Sequence, residues 1–134
     1  EYYLIPGVED ALIPSFKKYM EKVNRSRDIS NADSIRIALQ TALSDIDAYE
    51  SFYKSDVDNE YVILSETGMT KVPAAFRKEF DAVLGEYPEV KYIKDGYDKF
   101  AFKLDVESNT CTVYVTNGSD FVEISPDIDY DFYF

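Results

Sequence analysis

The sequence predicts an α+β domain in which one long N-terminal helix packs on an antiparallel meander sheet of about four strands, with a second, short helix between them. Three observations predict it. The stretch from Ser15 to about Tyr53 contains neither Gly nor Pro and carries apolar residues at helical spacing. Past Glu89 the apolar period drops from 3.6 to 2, with turn signals at Asp95-Gly96, Ser108-Asn109 and Asn117-Gly118. A sheet with one apolar face wants one covering layer, and the helical stripe from Ile35 to Tyr49 is the available cover.

Within the long helix, expected over 15–53, apolar residues fall at Phe16, Tyr19, Met20 and Val23. They resume at Ile35, Ala38, Leu39, Ala42, Leu43, Ile46, Tyr49 and Tyr53. Between the two groups lies Asn24-Arg25-Ser26-Arg27-Asp28-Ile29-Ser30-Asn31, where the stripe nearly vanishes. At ~1.5 Å per residue, a helix from Ser15 to about Ala48 is roughly 50 Å long. A compact domain of this size is only about 35 to 40 Å across. The helix is therefore expected to overhang its own body. Leu12, Ile13, Phe16, Tyr19, Met20 and Val23 then need a partner outside the chain, and they are the candidate assembly surface. The alternative is two ordinary helices folded as a hairpin at the polar octet, although no Gly, Pro or turn dipeptide marks a break there.

Pro14 fits either a first-turn position or a helix continuing from upstream. After the helix, residues 54–60 form a polar connector. Its Asp56, Asp58 and Glu60 lack the glycine and distal glutamate of a calcium loop, so a solvated linker is the better account. Tyr61-Val62-Ile63-Leu64 reads as a short strand. Val72-Pro73 opens a helix over 73–85 that buries Phe76, Phe80, Val83 and Leu84 and ends at Gly85. The sheet follows over 89–125: Val90 and Tyr92 in one strand, Phe100 to Val106 in the next, then the Cys111 strand and Phe121 to Ile124. The tail, 126–134, alternates acidic with apolar residues. An edge strand, a docked tail and half of a divalent-ion site all fit it, the last with Asp127, Asp129 and Asp131 as candidate metal ligands.

Composition narrows the function. One domain of 134 residues with 46% hydrophobic residues, 12 Tyr and 9 Phe can bury a real core. The net charge of −12 argues against direct binding to nucleic acid or to anionic lipid headgroups. Its basic residues are uneven, with Lys17, Lys18, Lys22, Arg25 and Arg27 gathered on the early helix. The single cysteine, Cys111, excludes an intramolecular disulfide and alternates with Val113 and Val115 as a core residue would. Histidine is absent, and no carboxylate pair falls in a recognisable catalytic context, so the chain reads as non-enzymatic. No run approaches the ~18 apolar residues of a membrane span. Residues 1–10 do not continue the pattern and are expected to be a leader added to the domain, which then occupies 11–134.

The stretch Ala11-Leu12-Ile13-Pro14-Ser15-Phe16-Lys17-Lys18-Tyr19, followed by Asn31-Ala32-Asp33-Ser34-Ile35-Arg36-Ile37-Ala38-Leu39-Gln40-Thr41-Ala42-Leu43, resembles type IV pilins and pseudopilins. In that family a hydrophobic helix runs into a proline, an aromatic-basic stretch and then an amphipathic half that packs on a sheet. The likeness covers roughly Ala11 to Ala48 and is one of patterned helix rather than catalytic signature. The family's cleaved leader and membrane-spanning helix start are missing, which implies a truncated, soluble piece of a longer chain. The resemblance implies a subunit held in the cytoplasmic membrane by that missing segment, then assembled with identical or related subunits into a cell-surface filament or short pseudopilus. Lack of a disulfide suits a Gram-positive source. The piece alone is expected to be a monomer or weak dimer without cofactor, calcium being admitted only if it is a secretion or competence pseudopilin. A cell-surface ligand-binding or adhesion module is the other alternative, with Tyr92, Tyr97, Tyr114 and Tyr130 as its candidate aromatics.

Overall fold

The computed structural model describes the backbone of residues 8–133 and the side chains from Ser15 onward. Its first element, α1 (Val8–Ala42), is a single helix of 35 residues, about 52 Å long at ~1.5 Å per residue. It passes through the octet Asn24 to Asn31 without a break, so the hairpin alternative falls. It also starts upstream of the expected Ser15, which places Pro14 inside a helix continuing from before it.

The expectation of one helix over 15–53 is corrected at its C-terminal end. α1 stops at Ala42, residues 43–45 turn, and α2 (Ile46–Tyr53) begins. The cause is Asp45, whose extended backbone (φ −85, ψ 127) lets its side chain accept a hydrogen bond from the N–H of Ala48 at 2.9 Å. An aspartate placed this way satisfies one of the orphan donors of a new helix, and Asp47 in the first turn complements its dipole. The break shifts the helical phase, so Ala48 and Phe52 are buried while Ile46 is 74% exposed and Tyr49 and Tyr53 stack on each other in solvent. Asp45→Ala is expected to destabilise the domain by about 1 kcal/mol, read as a lower urea midpoint at unchanged slope.

The sheet is an antiparallel meander of four strands in the order β1 (Tyr61–Ile63), β2 (Lys99–Asp105), β3 (Thr110–Thr116) and β4 (Phe121–Ser125). Phe102 lies opposite Val62 on one side and Val113 on the other, which marks the register of the first two pairings, β1 with β2 and β2 with β3. The strand expected at Val90 and Tyr92 is absent, and β1 takes its place, so the sheet draws on 61–125 rather than 89–125. The physical reason lies in the ladder donors. The N–H groups of Lys91 and Tyr92 are taken by the carboxylate of Asp28 on α1, at 2.7 and 2.8 Å, and are not free for a neighbouring strand. The connector is fixed in a similar way, since Asp58 accepts the N–H of Val106 at 3.0 Å and the N–H of Asn59 donates to the carbonyl of Leu104.

One face of the sheet carries Val62, Phe100, Phe102, Leu104, Cys111, Val113, Val115 and Ile124, all buried. Helix α1 covers it with Ala32, Ile35, Ala38, Leu39 and Ala42, at i, i+3, i+6, i+7 and i+10 along one side. Helix α3 (Ala74–Leu84) completes the layer and packs against α1 and α2. It ends as expected at Gly85, whose positive φ of 76 suits a residue without Cβ. Its buried positions are Phe76 and Phe80; Val83, expected inside, is exposed. The phenyl ring of Phe76 stands 4.7 Å from that of Phe52, and that of Phe80 stands 6.0 Å from Phe102, so aromatic contacts tie α2, α3 and β2 together. On the outer face, Tyr61 stacks on Phe121 at 4.0 Å, Tyr114 meets Tyr61 edge-on at 5.1 Å, and the Lys103 ammonium lies over the Tyr61 ring. Ala101, in register with Tyr114 on that face, is buried.

Candidate assembly surface

Of the six residues singled out on the early helix, Leu12 and Ile13 lie in α1 but their side chains fall outside the described residues. The other four are placed. Phe16 is 64% and Tyr19 62% exposed, and Met20 and Val23 are half-buried. At ~100° per residue these four cluster on one side of α1, centred roughly 120° around the helix from the side that Asp28, Ala32, Ile35 and Leu39 turn to the body. Below them the same side continues as Ser30, Ser34, Ile37 and Thr41, all four exposed. Phe16 and Tyr19 therefore point away from the chain's own core, while Met20, in phase with buried Ala38, borders it.

What holds this surface in place is a polar anchor inside the octet where the apolar pattern fades. Asp28 is completely buried. Its two oxygens accept the backbone N–H groups of Lys91 and Tyr92 and clamp the segment after Pro88 to the helix. Burial raises its carboxyl above the ordinary 3.8, against the lowering effect of those two donors and of Lys91. One turn toward the N-terminus, the Arg25 guanidinium lies 5.1 Å from the centre of the Tyr92 ring and 3.9 Å from Glu21. Tyr133 packs against Tyr92 at 6.1 Å, and burial, with the Asp28 charge nearby, pushes its hydroxyl far above the usual tyrosine range. Sequence reasoning missed Asp28. The signal was its phase, since it precedes Ala32 by four residues and Ile35 by seven and so belongs to the buried side.

The tail is docked rather than a strand. After β4 it turns into α4 (Tyr130–Tyr133), where Asp129 accepts the N–H of Phe132 at 3.1 Å. The Lys94 ammonium donates to the carbonyl of Phe132 at 2.6 Å, and the Tyr97 ring meets that of Phe132 at 4.9 Å. Asp127, Asp129 and Asp131 are all exposed and do not converge; among the described residues no group of three or more carboxylate or thiol side chains is placed to hold a metal ion. Of the four tyrosines considered for ligand binding, Tyr92 and Tyr97 both pack on the tail, through Tyr133 and Phe132, Tyr130 lies exposed on the same short helix, and Tyr114 sits apart on the outer sheet face. Cys111 is buried on the inner sheet face, which pushes its thiol up to about 11. No helix among the described residues is long and apolar enough to cross a membrane.

Comparison with models of known protein families, with curated proteins and with solved structures finds no match to this chain.

Proposed function

We propose that this chain is a structural subunit of a type IV pilus-like filament, assembling through the exposed part of α1 against the same helix of neighbouring subunits. The observation that carries the reading is the apolar stripe of Phe16, Tyr19, Met20 and Val23, which leaves two aromatic side chains mostly in water on a side of α1 turned away from the body. A contiguous apolar stripe facing solvent is the mark of an interaction surface. The patterned likeness of residues 11–43 to type IV pilins and pseudopilins supports the same reading. Identical contacts that repeat head to tail without closing generate a helical fibre rather than a ring.

Magnitudes fit a subunit that needs many neighbours. Phe16 is 64% and Tyr19 62% exposed, so burying what is still in water removes roughly 200 to 300 Å², or about 5 to 8 kcal/mol at ~25 cal/mol per Å². That falls within the estimated ~4 to 15 kcal/mol cost of bringing two molecules together, so a single contact gives a monomer or weak dimer. The test is F16S/Y19S. Both positions are exposed, so the folded stability is expected to stay within about 0.5 kcal/mol of the parent. Incorporation of the variant into filaments alongside the parent subunit is expected to fall by at least tenfold. Normal incorporation of a well-folded F16S/Y19S subunit rejects the reading.

A further inference from the structure

Resting on that reading, we infer that the basic side of α1 docks into an acidic-lipped cleft on the body of a second copy of this chain. The charge is strongly divided along the molecule. Residues 15–27 hold five basic residues and one acidic, a net of +4; the whole chain carries −12, so everything else carries −16. Lys17, Lys18 and Lys22 are exposed and, among the described residues, form no ion pair. Lys18 lies about 150° around the helix from the centre of the apolar stripe and Lys17 and Lys22 about 110° from it on either flank, so the stripe and the basic surface can be occupied at once. Lys18 and Lys22 are also four residues apart, a like-charge spacing that costs an isolated helix a few tenths of a kcal/mol and is relieved by an anionic neighbour.

The complementary surface lies between the end of α3 and β2. A cleft of about 750 Å³ opens there, with buried Leu64, Val90 and Phe100 along its floor and exposed Ile93 on its lip. Two of its carboxylates are already engaged: Glu66 pairs with Arg77 at 2.9 Å, and Asp81 accepts the Tyr87 hydroxyl at 2.7 Å. Glu86, Glu89 and Asp98 line the same cleft, are exposed, and have no hydrogen bond or ion pair among the described residues. Lysine suits such a place because its ammonium reaches the rim while its aliphatic stem lies on apolar floor. A second copy is the occupant that fits. It brings the unpaired ammonium groups of Lys18 and Lys22, about 40° apart on a rigid helix, with Lys17 on their flank, to three unpaired carboxylates that outnumber the single lysine, Lys99, lining the same groove. The contact is heterologous, with helix and cleft on different parts of the molecule, and it propagates as a fibre does.

The test uses the 134-residue chain at high protein concentration, with self-association followed by sedimentation equilibrium. It compares ~0.01 M salt, where the Debye length is ~30 Å, with ~1 M, where it is ~3 Å. Association is expected at low salt and at least tenfold weaker at high salt. K17E/K18E/K22E alone and E86K/E89K/D98K alone are each expected to abolish it, and an equimolar mixture of the two is expected to restore it. The control E50K/E107K/D120K shifts the net charge equally away from the cleft and is expected to leave association in place. If the cleft variant associates like the parent, or the mixture stays monomeric, the inference is overturned. Association that survives 1 M salt and is lost only in F16S/Y19S likewise overturns the cleft contact while leaving the filament reading standing.

Discussion

Phe80→Ala is expected to destabilise the domain by about 4 kcal/mol, the usual scale for emptying a fully buried phenylalanine site. Phe80 is completely buried and sits where three parts of the molecule meet: its ring lies 6.2 Å from Phe76 on its own helix, 6.0 Å from Phe102 on β2, and 6.2 Å from Tyr87 after the helix. The backbones of α3 and the sheet are held by other contacts and relax only in part, so a cavity adds to the lost transfer energy. For a chain of this length, ~4 kcal/mol corresponds to a fall in Tm of about 15 °C, and it removes a large share of the ~5 to 15 kcal/mol that keeps a domain folded. Urea and thermal unfolding measure it directly. A loss under about 1 kcal/mol contradicts the packing of α3 on β2.

Asp28→Ala is expected to cost about 2 kcal/mol, because it leaves two part-buried backbone N–H groups, those of Lys91 and Tyr92, without their acceptor. Hydrogen exchange at these two amides is expected to speed up more than exchange in β2 or β3. D28N keeps one acceptor but turns an N–H donor toward the second amide, so its loss falls between zero and that of the alanine variant. The pH dependence has a definite sign. Burial holds the Asp28 carboxyl above 3.8, so the folded chain binds that proton more tightly than the unfolded chain does. Its contribution to stability is therefore fullest below about pH 4 and falls as pH rises through the raised value. D28N has no such slope. The stability difference between the parent and D28N, from urea curves, is expected to be larger near pH 4 than at pH 7; an increase toward pH 7 contradicts the assignment.

The layer order of this fold is legible from periodicity because the residues that pack on the sheet, from Ala32 to Ala42 and from Phe100 to Val115, obey the 3.6 and 2.0 spacings with few exceptions. Three features escaped it for separate physical reasons. The end of α1 is set by a cap, and Ser44-Asp45-Ile46-Asp47 carried that signal while the apolar spacing ran straight through it. The strand expected near Val90 fails because a side chain from α1 takes its amides, a contact 63 residues apart in sequence that local pattern does not encode. Tyr61 to Ile63 was readable as a strand, but its place at the sheet edge follows only from pairing with β2. On the candidate surface, the exposure of Phe16 and Tyr19 follows from the length of the helix against the size of the body. The cleft at Glu86, Glu89 and Asp98 is assembled from the end of α3, the segment after it, the start of β2 and Leu64 to Glu66, and left no pattern in the sequence.

The uninterrupted course of α1 also has a mechanical side. From Val8 to Thr67 the chain contains no glycine, and one rod forms both the projecting end and a wall of the core. Tension applied to the projecting end is delivered lengthwise to Ala32, Ile35 and Leu39, where it meets resistance as shear over several packed turns at once instead of peeling them off singly. The contact of Arg25 with Tyr92 and the clamp at Asp28 one turn further on stand where the rod leaves the body, so they are the first fastenings that a steady pull would load.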